Sequence, residues 1–309
     1  MLRFSILLLA GTAFAQQYTI STVAGGAPPA TPAPALNTSI GQPRKLAVAG
    51  GNIYFSSGNS VFKIDGAGSL SVVAGNSRAG FSGDGGPAVN AQLNAPQGIA
   101  LDSAGNIYIA DSLNNRVRKV DTKGIITTFA GNGQVNPPGF WGDTGLATEA
   151  NLHLPTGLAV ESSGKVYIAV SSDNTIRVVT TDGIINIFAG GGYRGFYGDY
   201  SADSVTGKVN NAGVATIAGL TNPQDVAIGP NNTILIADTG NSAIRSVSSA
   251  GVITTISGVG GSTGLSGDGA ATTLAMVAPF GVAADSNGNV YISEFCTNRI
   301  RKMDYSKNF

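Results

Sequence analysis

Hydrophobic and polar residues alternate with a period of two along most of this chain, in short runs separated by Gly, Asp, Asn and Ser. This pattern predicts β-strands joined by tight turns, because a helix repeats its apolar positions every 3.6 residues. In one representative stretch the predicted strands lie near Gly98–Leu101, Ile107–Ala110, Arg116–Val120 and Ile125–Phe129. Turn sequences such as Asp121–Gly124 separate them, with glycine where φ must be positive. The stretch is therefore predicted to be a four-stranded antiparallel meander.

The same meander recurs along the chain, and each copy opens on a proline. The repeat units lie at residues 43–75, 96–131, 155–190, 223–258 and 279–309. Four-stranded units repeated at intervals of roughly 40 to 70 residues are typical of β-propeller blades. The predicted fold is therefore an all-β propeller of five four-stranded blades. A degenerate sixth blade within residues 191–220 remains an alternative.

The last unit contains only three predicted strands, because its pattern stops at Met303. Residues 18–25 have the composition of a fourth strand and end in the same Ala-Gly pair as the fourth strands elsewhere. We therefore expect the N-terminal strand to complete the last blade and to remove an open sheet edge.

The first fifteen residues are typical of a secretory signal peptide. Arg3 precedes the apolar run Phe4–Ala10, and Ala13 to Ala15 fit the small-x-small cleavage rule. The expected mature propeller spans residues 16–309, in a secreted or periplasmic protein. No other stretch is apolar enough to span a membrane, which needs roughly 20 residues.

The composition argues against nucleic acid as a partner and against disulfide bonds as a source of stability. Lys plus Arg and Asp plus Glu both total 18, so the net charge is zero and nucleic acid is not an expected partner. Cys296 is the single cysteine, which excludes an internal disulfide. A hydrophobic core must therefore hold this fold.

The blade sequences resemble NHL repeats. The resemblance is strongest at Pro96–Val120 and Pro279–Met303, which read P-x-G-(I/V)-A-x-D-S-x-G-N-(I/V)-Y-I. It covers essentially the whole mature chain and implies a β-propeller. NHL propellers commonly have six blades, whereas this sequence has five. The motif is specific for the fold and says little about function.

The long connections between units carry a second repeat, G-(F/L)-x-G-D, which supplies the candidate ligand-binding residues. Long loops on one side of a rigid scaffold are a common place for recognition. In a structural interpretation, the aromatic residue fills the gap between blades and the aspartate caps a turn or short helix. In a functional one, the aromatics stack on a sugar ring or a peptide side chain, most clearly at Trp141 and Tyr197. The candidates are Phe81, Asp84, Phe140, Trp141, Asp143, Phe196, Tyr197, Asp199 and Asp268.

Catalytic residues are sparse in this sequence. His153 is the only histidine, which excludes a zinc site with three histidine ligands and leaves only a single-histidine base. Asp111, Asp238 and Glu294 recur seven residues before Arg118, Arg245 and Arg301, and are expected to form structural pairs with them. Val170 breaks that series.

These features favour a secreted, non-enzymatic binding or scaffold propeller that recognises a protein, peptide or glycan on its long-loop face. No cofactor is expected, although the connection aspartates could each bind calcium with nearby carbonyl oxygens. The alternative is a propeller hydrolase or lyase with an axial calcium ion or a single-histidine base.

Overall fold

The structure, a computed structural model, describes residues 31–135, 142–191, 195–196, 213–260 and 268–304. Within these ranges the chain forms β-strands and short 3₁₀-helices, with no α-helix. The strands assemble into five antiparallel sheets of consecutive strands: one has five strands, three have four, and one has three within the described residues. The predicted all-β propeller with five blades is confirmed.

Blades 1 to 3 contain strands β1 to β13. The strands of blade 1 are β1 (Ala33–Pro34), β2 (Pro43–Ala49), β3 (Asn52–Ser57), β4 (Ser60–Ile64) and β5 (Ser69–Ala74). Those of blade 2 are β6 (Ile99–Leu101), β7 (Ile107–Asp111), β8 (Arg116–Val120) and β9 (Ile126–Ala130). Those of blade 3 are β10 (Pro155–Val160), β11 (Val166–Val170), β12 (Thr175–Val179) and β13 (Ile185–Ala189).

Blades 4 and 5 complete the set. Blade 4 contains β14 (Asp225–Ile228), β15 (Ile234–Asp238), β16 (Ala243–Val247) and β17 (Ile253–Ser257). Blade 5 contains β18 (Pro279–Ala284), β19 (Val290–Glu294) and β20 (Arg299–Met303). The predicted closing strand at residues 18–25 and the predicted signal peptide at residues 1–15 lie outside the described residues.

Most of the hydrophobic core lies between neighbouring blades, and within the described residues one further buried cluster is formed by blade 1 and the segment that precedes it. One buried cluster joins blades 1 and 2, and equivalent clusters join blades 2 and 3, blades 3 and 4, and blades 4 and 5. Every residue of β7, β11 and β15 is buried, because a neighbouring blade covers each face of these strands. Stability therefore depends on the stacking of the blades around the ring.

Turns between strands follow the sequence prediction. The Asp121 carboxylate accepts hydrogen bonds from the backbone N–H groups of Lys123 and Ile125, both at 2.9 Å. Gly124 has φ +79°, a conformation that glycine adopts without strain. Asp102 and Asp285 organise the turns between the first and second strands of blades 2 and 5 in the same way.

The first strand of each blade faces a central axial cavity of about 360 Å³. The Lys45 ammonium of blade 1 donates to the Phe280 carbonyl oxygen of blade 5 at 3.0 Å. Blades 5 and 1 are thus in contact at the axis. Among the described residues, no helix is long and apolar enough to cross a bilayer.

Candidate functional site

The hairpins between second and third strands meet the connections between blades on one face of the propeller. The Asn114 amide donates to the Gly80 carbonyl oxygen at 2.7 Å, and the Asn241 amide donates to that of Gly195 at 2.6 Å. Here this surface is called the hairpin face. It comprises residues 58–59, 112–115, 171–174, 239–242 and 295–298 with the connections that touch them. These hydrogen bonds place the hairpins and the long connections on the same face of the propeller.

Fully buried arginines anchor the connections to blades 2 and 3. The Arg118 guanidinium lies 2.5 Å from the Asp84 carboxylate of the connection and 3.3 Å from Asp111 of its own blade. The Arg177 guanidinium lies 2.5 Å from Asp143. Burial leaves such a cation dependent on its acidic partners, because desolvation is costly. These ion pairs therefore fix the connections to the blades as part of the fold.

The acid at the end of the second strand also accepts a hydrogen bond from the backbone just before the first strand of its blade. Asp111 accepts a hydrogen bond from the Asn94 backbone N–H at 2.7 Å, and Asp238 accepts one from Thr221 at 2.8 Å. The expected pairs with arginine are present, at 3.2 Å for Arg245 with Asp238. Burial raises the pKa of Asp111, and it raises the pKa of Asp238 to about 6 against the hydrogen bonds that favour the carboxylate.

Glu294 occupies the position of Asp111 and Asp238 in blade 5, but its pKa shifts in the opposite direction. It accepts a hydrogen bond from the Val277 backbone N–H at 3.1 Å and one from the Arg301 guanidinium at 3.0 Å. Burial favours the neutral acid, but the hydrogen bonds from Arg301, Val277 and Thr297 outweigh it and hold the pKa of Glu294 below its usual value. The acid at this position is thus structural in blades 2, 4 and 5.

Asp84 does not cap a helix, contrary to the structural interpretation of the connection repeat. The 3₁₀-helix Ala88–Asn90 follows Pro87 and has no side-chain cap. The Asp84 carboxylate instead accepts hydrogen bonds from Arg118 and from the Thr128 hydroxyl, the latter at 2.6 Å. A buried cation in the next blade attracts the carboxylate more strongly than a helix of three residues.

The described aromatic candidates stack on the same arginines. The Phe81 ring lies 3.8 Å from the Arg116 guanidinium carbon and 4.8 Å from that of Arg118. Phe196 lies 5.1 Å from the guanidinium carbon of Arg245. Their side chains remain 42% and 40% exposed, so both rings present one face to solvent. Candidates Phe140, Trp141, Tyr197 and Asp199 lie outside the described residues, and Asp268 is exposed in the last connection.

The axial cavity is walled mainly by aliphatic side chains and glycine. Two residues after the opening proline, blades 2, 3 and 5 have Gly98, Gly157 and Gly281. Blades 1 and 4 have Lys45 and Asp225 at this position, and these two form an ion pair at 2.9 Å. Their charges therefore compensate each other at the mouth of the cavity.

Blade 5 breaks the repeat beside this ion pair, at two phenylalanines. Phe280 stands where blades 2 and 4 have glutamine, and Phe295 stands where blades 2 and 4 have Ser112 and Thr239. The hydroxyls of Ser112 and Thr239 each donate to the carbonyl oxygen of the next blade's opening proline at 2.6 Å. Phe295 is 71% exposed, and its ring centre lies 5.8 Å from that of Phe280.

We call Lys45, Asp225, Phe280 and Phe295 the mouth cluster. The Lys45 ammonium lies 5.1 Å above the centre of the Phe280 ring, which joins the ion pair to the two aromatics. These residues were missed by the sequence analysis. Column-by-column comparison of the five units would have found them, because each replaces a glycine or a small or polar residue of the repeat.

His153 belongs to a pair that the sequence did not reveal. Its Nδ1 lies 2.6 Å from the Asp173 carboxylate, and its Nε2 is buried with no hydrogen-bond partner among the described residues. Burial raises the pKa of Asp173 despite the nearby His153. The pair lies on the hairpin face of blade 3 and not on the first strands that line the axis.

Other reactive groups lie apart from one another. Cys296 is exposed at the tip of the blade 5 hairpin. No group of three or more His, Cys, Asp or Glu side chains is placed to hold a metal ion within the ranges that the structure describes. Asp84 and Asp143 each have a buried arginine as their cation.

Comparison with known sequences identifies the repeat. The family model of the teneurin NHL domain matches residues 78–138, and that of the NHL repeat matches residues 220–245. Mouse teneurin-3 is 30% identical over 232 residues, which is 54% of this chain and 8% of the teneurin. An Arabidopsis thaliana protein, suppressor of quenching 1, is 31% identical over 147 residues, covering 47% of this chain and 11% of that protein. The chain thus spans only a small part of these relatives.

Solved structures share the architecture at low sequence identity. A Bacteroides thetaiotaomicron protein of unknown function has a TM-score of 0.52 at 16% identity, covering 91% of this chain and 74% of that chain. A Xanthomonas campestris gluconolactonase has 0.52 at 14%, covering 82% and 68%. Virginiamycin B lyase from Staphylococcus aureus has 0.51 at 15%, covering 85% and 67%. These likenesses concern the fold alone, and the chain is similar to NHL-type β-propellers, with NHL sequence matches at residues 78–138 and 220–245.

Proposed function

We propose that this protein is a secreted binding propeller whose hairpin face receives a protein or peptide ligand at the mouth cluster. The observation that carries the proposal is the exposure of Phe295 beside Phe280, where the repeat otherwise places small or polar side chains. An exposed aromatic pair gains little for a folded monomer, whereas aromatic residues are frequent anchors of protein interfaces.

The other exposed apolar groups of the hairpin face support a protein or peptide ligand. Phe81 and Phe196 each present a ring to solvent. The charges of Lys45 and Asp225 are already paired, so the mouth cluster offers apolar contact more than charge. The relatives named teneurin share this repeat but are far longer, so their own partners do not identify the ligand.

The enzymatic alternative receives less support from the side chains at the axis. Asp225 is the one carboxylate lining the described cavity, and Lys45 pairs with it. The His153 imidazole is held by Asp173 on the hairpin face, away from that cavity. A hydrolase or lyase would need several polar groups converging on one point.

Secretion rests on residues 1–15, whose charged start, apolar run and small-residue end are those of a signal peptide. We expect export to remove them. N-terminal sequencing of the exported protein would then begin at Gln16, and an exported chain that retained Met1 would contradict this part of the proposal.

The binding site can be tested by restoring the repeat in blade 5. The variant Phe295→Ser with Phe280→Gln places the residues of blades 2 and 4 in the mouth cluster. We expect the exported protein to bind members of a peptide array that contain aromatic or large aliphatic residues. The variant should bind the same peptides at least about tenfold more weakly, a loss of about 1.4 kcal/mol.

Leu113→Ser is the matched control, because it removes an exposed apolar side chain from another hairpin of the same face. It should retain most of the affinity. Equal binding by wild type and the blade 5 variant would contradict the assignment of the site. Binding to a glycan array alone, with no peptide bound, would point to carbohydrate and against a protein ligand.

A further inference from the structure

Blades 2 and 3 each place an aromatic pair against the next blade. In blade 2 the rings of Tyr108 and Phe129 meet edge to face, with 4.9 Å between their centres. In blade 3 the rings of Tyr167 and Phe188 do the same at 4.8 Å. Both tyrosines belong to the buried clusters that join their blade to the following one. The pair is therefore a packing element of the interface between neighbouring blades.

An acid that directly follows the first strand of the blade holds each of these tyrosines. The Tyr108 hydroxyl donates to the Asp102 carboxylate at 3.3 Å, and the Tyr167 hydroxyl donates to that of Glu161 at 3.2 Å. In blade 2 the Lys119 ammonium also lies 5.4 Å from the centre of the Tyr108 ring. The aromatic pair and its polar neighbours thus form one set of interacting side chains.

Blade 4 replaces every member of this set by a smaller residue. The acid, the tyrosine, the lysine of blade 2 and the phenylalanine become Gly229, Leu235, Ser246 and Ile256 in turn. Leu235 lies directly opposite Ser246 on the adjacent strand, and it packs in the cluster that joins blades 4 and 5. The replacements therefore remove volume from one region, on the side of the sheet that faces blade 5.

A cavity of about 740 Å³ lies in this region, between blades 4 and 5. Leu235, Ser246 and Ile256 line it from blade 4, and Val290 and Met303 line it from blade 5. Ligand sites in proteins have volumes of roughly 300–1,000 Å³. Unfilled space between packed surfaces destabilises a fold, whereas a bound molecule would restore the lost contacts.

The walls of this cavity combine aliphatic side chains with hydroxyl groups. None of the described residues that line it carries a charge, although lysine occupies the position of Ser246 in blades 1, 2 and 5. An ionic ligand would lose its hydration without gaining a counter-ion there, which is costly. The hydroxyl-bearing residues are Thr233, Ser246, Ser248, Thr254, Thr255 and Thr272.

We propose that the cavity between blades 4 and 5 binds an uncharged small molecule with an apolar body and at least one hydrogen-bonding group. The apolar body would lie against Leu235 and Ile256, where blades 2 and 3 have their aromatic pair. The polar group would reach the hydroxyls of Ser246 and Thr254, which lie directly opposite each other on β16 and β17. No residue of the mouth cluster lines this cavity, so the inference does not depend on the proposed function.

Two fluorescent probes with the same ring system test the chemistry of the site. N-Phenyl-1-naphthylamine is uncharged, and 8-anilinonaphthalene-1-sulfonate adds an anionic group to it. In fluorescence titrations of the exported protein, we expect the uncharged probe to bind at least about tenfold more tightly, because no cation lines the cavity. Equal affinity for the two probes, or no binding of the uncharged one, would overturn the proposal.

Restoring the repeat in blade 4 locates the bound probe. The double variant Leu235→Tyr with Ile256→Phe returns the aromatic pair and should weaken binding of the uncharged probe at least about tenfold. Ser246→Lys, a single change at a half-buried position, should act in the same direction and covers the case in which the double variant fails to fold. Thermal unfolding identifies the variants that fold.

Lys119→Ser is the matched control, because it makes the reverse exchange in blade 2, where the aromatic pair remains. It should bind the uncharged probe as the wild type does. The variant Phe295→Ser with Phe280→Gln should also retain the probe, since neither phenylalanine lines the cavity. Unchanged binding by the folded blade 4 variants, or an equal loss in either control, would overturn the proposal.

Discussion

Blades 2 and 3 bury the same arginine but place its acidic neighbour at different positions. In blade 2, Asp111 ends the second strand and accepts hydrogen bonds from the Asn94 backbone and the Asn114 side chain. Blade 3 has Val170 at the position of Asp111 and Asp173 at that of Asn114. The Asp173 carboxylate still accepts a hydrogen bond from the backbone N–H two residues before the opening proline. In blade 3 this donor is the N–H of His153, at 3.3 Å.

The acid of blade 3 thus lies three residues later in the repeat than that of blade 2, and it still accepts the backbone hydrogen bond. Asp173 lies on the hairpin 3₁₀-helix and reaches the same region as Asp111 does from the strand. Its negative charge also counteracts the lowering of the Arg177 pKa that burial causes. The comparison teaches that the repeat requires a buried carboxylate near its arginine, and that more than one position of the hairpin can supply it.

Removing the arginine should have the largest effect, because both blades depend on it. Arg118→Met leaves Asp111 buried without its cation and also removes the partner of Asp84. Breaking a buried pair in this way costs about 3–5 kcal/mol of unfolding free energy. Urea unfolding would measure the loss. Lys123→Met, which removes an exposed positive charge from the same blade, should change stability by less than about 0.5 kcal/mol.

The buried acid of blade 4 should give a pH-dependent effect of about 3 kcal/mol. Burial raises the pKa of Asp238 from 3.8 to about 6. Because the folded-state pKa lies above the unfolded value, the folded protein holds this proton more tightly, and stability rises as pH falls from about 6 towards 4. Asp238→Asn removes the titration, so the stability of wild type relative to this variant should decrease as pH increases across that window. A difference that is constant between about pH 4 and 7 would contradict the raised pKa.

Giving blade 2 the acid position of blade 3 should have a smaller effect on stability. Asp111→Val alone leaves the Asn94 N–H without its acceptor, at a cost of about 2 kcal/mol. Adding Asn114→Asp recreates the arrangement of blade 3 and should recover part of that loss, as measured by urea unfolding. If the double variant were no more stable than Asp111→Val, the compensation between the two blades would be refuted.

The histidine of blade 3 should matter least to stability. His153→Asn restores the residue of blade 2, and the backbone N–H that binds Asp173 remains. The loss of the ring hydrogen bond to Asp173 should cost about 1 kcal/mol or less. A loss as large as that of Arg118→Met would show that the imidazole, and not only the acid, holds the hairpin.

Much of the architecture follows from local sequence. The turn chemistry at Asp121 and Gly124 and the alternation in strands such as Ile107–Asp111 are short-range features. Five copies of them specify five blades, as predicted. The pairing of Asp111, Asp238 and Glu294 with arginines seven residues later was also predicted. The arginine lies on the adjacent strand, two residues beyond the position directly opposite the acid and therefore on the same face.

The candidate site was less predictable, because its residues come from different repeat units. Lys45 and Asp225 lie 180 positions apart in the sequence, and their ion pair forms only when three first strands converge at the axis. The interpretation of Asp84 as a helix cap was wrong for the same reason. Local spacing favoured a helix cap, but its partner Arg118 is buried in the next blade.

The amino-acid sequence by itself determined the strands, the turns, the number of blades and the identity of the repeat, since each depends on contacts within about forty residues. The tertiary structure decided which polar groups are buried and which aromatics are exposed. Those properties depend on how neighbouring blades cover one another. Phe295 and Ser112 occupy the same position in the repeat. Only the assembled ring shows that Phe295 remains exposed to solvent, whereas the Ser112 hydroxyl donates a hydrogen bond to the next blade.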